Sequence, residues 1–131
     1  MTFAAMTAVL FVAGSAIAQA AHSTAVRRFG NTLVADHSKA RLEASSLAKR
    51  MGVPVPSGMM PEAQAERSKL QRLHGQAFDR EVRRYMIQDH RKDISEFTDE
   101  ARHGDRRTAA LAAAQLPVLK KHLRLAEELP H

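Results

Sequence analysis

The chain contains no cysteine and no tryptophan, and only 5% of its residues are aromatic. Without cysteine there are no disulfides and no thiolate metal sites, and the redox compartment cannot be inferred from thiol usage. With so few aromatic rings, a core drawn from a 44% hydrophobic composition must be built from Ala, Leu, Val and Met. Such a core suits close helix packing better than sheet packing. Sustained two-residue alternation and hairpin dipeptides are also missing, which argues against strands. So are a glycine-rich phosphate loop and, around Ser38, Ser45, Ser46 and Ser95, any nucleophile elbow or triad order.

Charge is absent from one end. No Asp, Glu, Lys or Arg precedes Arg27, although the whole chain carries a formal charge of +6. Ala18-Gln19-Ala20 has the form of a signal-peptidase site, but the stretch before it lacks the basic start of a signal. Gly14, Ser15 and Gln19 also make it a weak membrane span. A third reading fits better. Phe3, Met6, Leu10, Ala13, Ile17 and Ala20 recur at spacings of three and four, as on the buried seam of a packed helix. Residues 1–22 are therefore expected to be the first helix, with a signal-like segment as the alternative.

At 131 residues the rest reads as one domain, residues 1–131, long enough for a single core. Ser23 and Thr24 can cap a second helix whose seam runs Val26, Phe29, Leu33, His37, Ala40, Ala44, Leu47 and Met51. Gly52 should stop it, and Val53-Pro54-Val55-Pro56-Ser57-Gly58 should form an extended connector. Pro61 can open a shorter third helix through Leu70 and Leu73, broken at Gly75. A fourth helix from about Gln76 carries Phe78, Val82, Met86, His90, Ile94 and Phe97 on one side and closes at His103-Gly104. Asp105 caps the last, which runs from Arg106 to about Glu128 and should kink at Pro117. The expected fold is all-α: a four-long-helix bundle with an additional short helix in the crossover.

Several short phrases along this frame form an ordered set. Asp36-His37 lies in the middle of helix two and is followed by Gly-Val-Pro-Val-Pro from Gly52 to Pro56. Leu73, Gly75, Phe78 and Asp79 lead into the fourth helix, which carries Tyr85-Met86 and a second Asp-His, Asp89-His90. Leu116, Pro117, Leu119 and His122 complete the set. Together these resemble the DUF4142 family of bacterial proteins from about Phe3 to Leu129. The resemblance implies a ferritin-like fold and a place at the cell envelope or periplasm. A cytoplasmic place follows instead if the chain is complete and residues 1–22 are a folded helix. It implies no established activity. One feature departs from the family, whose first helix tends to carry a central Glu where Val9 to Val12 are all apolar here.

A ferritin-like di-iron centre needs carboxylates from several helices, and the first helix here has none. The one helical Glu-x-x-His, Glu100 to His103, falls at a helix end beside Gly104. A mononuclear centre is easier to build, because His37, His90 and His122 each fall on the core-facing line of a different long helix. Three imidazoles, with Asp36, Asp79 or Asp89 as helpers, would suit a single Zn, Cu or Ni ion. Such a centre should lose its metal below about pH 6, where free imidazoles charge. The alternative reading makes the histidines hydrogen-bonded members of the core, in a structural or interaction module. On either reading the protein is expected to bind rather than to turn over a substrate.

Basic pairs such as Arg27-Arg28, Arg83-Arg84 and Lys120-Lys121 are scattered among acids with no aromatics between them, which disfavours nucleic acid as a partner. An anionic envelope surface needs charge without base readout and fits better. The uncharged first segment could also lend an apolar face to a homodimer.

Overall fold

The computed structural model describes residues 14–54 and 61–131. Among these residues there are five helices and no strand: α1 (Gly14–Ala20), α2 (Thr24–Met51), α3 (Pro61–Leu70), α4 (Gly75–His103) and α5 (Arg106–Glu127). The all-α bundle expected from composition and period is the one observed, with short α3 in the crossover between α2 and α4. Phe3, Met6, Leu10 and Ala13 of the proposed first seam lie outside the described residues, as do the apolar residues 9–12 and residues 55–58 of the connector. No described helix is long and apolar enough to cross a membrane.

Local chemistry sets the helix ends. Ser23 is the N-cap of α2, its hydroxyl accepting from the Val26 N–H at 3.1 Å. Gly52 ends α2 in the left-handed region at φ 68°, and its N–H closes on the Ala48 and Lys49 carbonyls. Pro61 opens α3, where its missing N–H costs nothing. Asp105 caps α5 by accepting from the Arg107 and Thr108 N–H groups, both at 3.1 Å. α5 then runs on through Pro117 as one helix.

Tertiary contacts fix the directions. His90 meets His122 although α4 and α5 are joined at Gly104, so these two helices are antiparallel. Asp36 reaches His122, and Glu43 reaches Gln115 seventy-two positions on, so α2 also runs antiparallel to α5. α2 and α4 are therefore parallel, which is why a crossover carrying α3 is needed.

The core is divided. One apolar cluster gathers Ile17, Val26, Phe29, Leu33, Val82 and Met86, with Ala126 from the end of α5 and Leu129 just beyond it. A second holds Ala40, Ala44, Leu47, Phe97, Leu111 and Leu119. Phe97 is fully buried there, which stabilises the fold by about 1.5–3 kcal/mol. Between Leu33 and Ala40 on α2, between Met86 and Phe97 on α4, and between Leu119 and Ala126 on α5, each helix places one histidine. The two apolar clusters are separated by a polar layer.

Candidate metal centre

That layer consists of His37, His90 and His122, exposed by only 4%, 1% and 0%. Each sits on its helix's buried stripe, three or four residues from the apolar residues flanking it, so the same periodicity that builds the core points the ring inward. Ring centroids lie 5.0 Å apart for His37 and His122, 5.7 Å for His90 and His122, and 6.4 Å for His37 and His90. One nitrogen from each ring falls within 4.8 Å of the other two, and no carboxylate joins this set among the described residues.

Two of the rings are oriented from behind. His90 donates its Nδ1–H to the Met86 carbonyl at 2.9 Å. His122 donates its Nε2–H to Asp36 Oδ2 at 2.8 Å, and the same oxygen takes a 2.8 Å bond from Lys121 Nζ. Those bonds fix the tautomers, leaving a lone pair on His90 Nε2 and on His122 Nδ1. Neither of these nitrogens has a protein partner, and neither nitrogen of His37 has one. Metal-binding histidines commonly have one ring nitrogen tied to a carboxylate or carbonyl and the other facing an ion. Three nitrogens on a tetrahedral ion stand about 3.3 Å apart at bond lengths near 2.0–2.1 Å, so closure from the observed spacing needs ring shifts of about an ångström.

Burial, reinforced by His122 and His90, pushes the His37 imidazole down to about 3. Burial and His122 push His90 down to about 4, and burial also lowers His122 despite its Asp36 hydrogen bond. The loss of metal expected below about pH 6 rested on free imidazole behaviour. These rings stay neutral to more acid values because burial disfavours the charged imidazolium. On Asp36 burial works the other way, but the Lys121 and His122 hydrogen bonds outweigh it and hold the carboxyl below its ordinary value.

The three carboxylates suggested as helpers go to different places. Asp36 stands behind His122 rather than among the ligand atoms. Asp79 is far from the layer: it accepts from the backbone N–H groups of His22 at 2.9 Å and Ser23 at 2.8 Å, tying the start of α2 to α4. Asp89 pairs with Asp93 one turn along α4, and burial together with Asp89 pushes Asp93 up to about 8. His103 is exposed at the end of α4, which leaves Glu100-x-x-His103 outside the layer.

Sequence periodicity missed Lys121 and a second polar assembly. Lys121 precedes a candidate ligand, and that adjacency was the one available signal. The second assembly joins α3 to α4: Glu81 receives Arg84 at 2.6 Å and Lys69 at 3.2 Å, and Glu66 lies 3.6 Å from Arg84. The Arg84 hydrogen bond holds Glu81 down to about 2, while burial and Glu81 push Glu66 up to about 7. Glu66 therefore keeps its proton to a higher pH than Glu81.

Fold and site together define a class: an all-α bundle with three histidines buried in a layer across its core. The family model described as "Domain of unknown function (DUF4142)" matches residues 2–129, and the chain belongs to that family. No curated protein and no solved structure matches it.

Proposed function

We propose that this protein binds a single transition-metal ion, Zn, Cu or Ni, through His37, His90 and His122, and that its role is to hold metal rather than to catalyse a reaction. One observation carries this reading. Three buried histidine rings from three helices converge, each ring has a nitrogen without a protein partner, and two of the rings are held by a hydrogen bond on the other nitrogen. Imidazole donors suit these ions better than Ca or Mg, which prefer oxygen. The wider setting, an envelope or stress-associated protein meeting an anionic surface, rests on the family resemblance and the +6 charge.

A second reading draws on the same bonds. His90–Met86 and His122–Asp36 are also what a purely structural histidine layer would make, in a scaffold that docks a partner protein or an anionic surface. That layer would need a buried water to satisfy its four remaining ring nitrogens. Metal analysis of untagged protein, with thermal unfolding on adding Zn, Cu, Ni, Mn or Fe, separates the two. The metal reading expects near-stoichiometric binding and a rise in melting temperature from about 2.7 kcal/mol of stabilisation at a free-metal excess of 100 Kd. No binding and no shift would leave the scaffold reading.

A further inference from the structure

We infer that the three-histidine layer is selective for a monovalent, three-coordinate ion, cuprous copper, over divalent zinc or nickel. This rests on the metal reading above and narrows it by donor number, access and charge.

Donor number comes first. The layer offers three nitrogens, and among the described residues no carboxylate joins them. Asp36 is bonded to His122 and Lys121, Asp79 to the start of α2, and Asp89 interacts with Asp93. Zinc is almost always four-coordinate, and divalent nickel takes square or higher coordination. Cuprous copper has a filled d shell and is satisfied by two or three donors.

Access matters next. Zinc centres built on three histidines complete their tetrahedron with a water or substrate at an open position. Here all three rings are at least nine-tenths buried, with apolar clusters on both sides. The fourth ligand a divalent ion needs would have to be buried with it.

Charge points the same way. Neutral imidazoles bring no negative charge to the ion. The one carboxylate behind them, Asp36, is already matched by Lys121 at 2.8 Å. Transfer of an ion into a low-dielectric interior costs energy that grows with the square of its charge, so a divalent ion bears about four times the penalty of a monovalent one. Divalent copper has the same handicap and also prefers tetragonal coordination, so the layer should resist oxidation of the bound ion.

The test compares two competition titrations on the full chain. Cuprous ion is presented anaerobically from a chromogenic cuprous chelator, and zinc and nickel from a fluorescent divalent chelator. The expected result is one cuprous ion per chain, bound about 100-fold or more tighter than either divalent ion, a gap of about 2.8 kcal/mol. X-ray absorption should give a three-coordinate, nitrogen-only signature, and His37→Leu should abolish binding while remaining folded. Zinc or nickel bound as tightly as cuprous ion, or more tightly, would overturn the selectivity and leave the metal site standing. Failure of all three ions to bind would overturn the metal reading itself. Cuprous binding undiminished in both His37→Leu and His90→Leu would place the ion elsewhere and overturn both.

Discussion

His37→Leu should make the metal-free protein more stable. His37 is 4% exposed and neither ring nitrogen has a protein partner, whereas His90 and His122 each have one. A buried polar group without partners costs about 1–3 kcal/mol, and leucine fills a similar volume between two apolar clusters. Some of that gain is lost to the change of shape, so the net stabilisation at pH 7 should be about 1–2 kcal/mol. For a chain of this size each kcal/mol moves the melting temperature by about 3–5 °C. The difference should widen in acid. Burial lowers the folded-state value of His37 to about 3, so on acidification the unfolded chain takes up a proton first. The stability tied to neutral His37 is complete above about pH 6.5 and is lost as pH falls toward the folded value. At about 1.4 kcal/mol per unit, wild type should lose about 1 kcal/mol between pH 7 and 5.5 that the variant does not lose through this group. Urea unfolding in chelator at the two pH values reads both effects as midpoint shifts at constant slope. Destabilisation by more than about 1 kcal/mol, or a difference that fails to grow in acid, would refute the reasoning and give His37 a structural partner.

Glu66→Gln should stabilise at high pH only. Burial and Glu81 raise Glu66 to about 7, so its stabilising contribution is complete below about 4.5 and lost as pH rises through 7. Gln mimics the neutral acid, and denaturation at pH 8 should show a gain of about 1–2 kcal/mol that shrinks toward zero below about pH 5; an equal effect at both would contradict the assignment. Asp79→Ala removes two charge-assisted bonds to backbone N–H groups and should cost about 2–4 kcal/mol, with faster proteolysis near residues 14–22; a loss under about 0.5 kcal/mol would argue against the tie. Gly52→Ala meets nothing within 4 Å, so its cost should come from the backbone alone at φ 68°, about 1 kcal/mol by thermal unfolding.

Burial on the helices was legible because it follows from period alone. The α2 stripe from Val26 through His37 to Leu47 is buried as its three-and-four spacing requires, and the Ser23, Gly52 and Asp105 boundaries follow from local capping chemistry. What period could not reach were the acids buried on α4, two of which have partners on other parts of the chain. Asp79, Glu81 and Asp93 all sit among the buried residues of α4. Asp79 answers to N–H groups 56 and 57 positions away, and Glu81 to Lys69 across the α3–α4 turn. Such partners are set by how helices dock, which a stripe of hydrophobicity does not encode. The three histidines were found because they lie on the stripes. That they would be hydrogen-bonded was one of the two readings, but the particular partners were not legible, since the Met86 carbonyl and Asp36 carboxylate become partners only after rings choose rotamers in the packed core.

The repeated Asp-His phrase shows how far identical words can diverge. In an α-helix consecutive residues point about 100° apart, so neither aspartate can share its own histidine's direction. Asp36 lands at the edge of α2 beside antiparallel α5 and takes His122 and Lys121 as partners. Asp89 lands toward α3, where Lys92, Glu96 and Glu62 act on it, and is pushed up by burial rather than down by a cation. One aspartate therefore orients the layer and the other does not. The histidines keep their common role because inward burial is all they need. A core that filled these three positions with leucine would leave no nitrogen unsatisfied and would join its two apolar clusters into one. A layer that forgoes such stability at the centre of a small bundle is what a binding function maintained against the fold's own preference would look like.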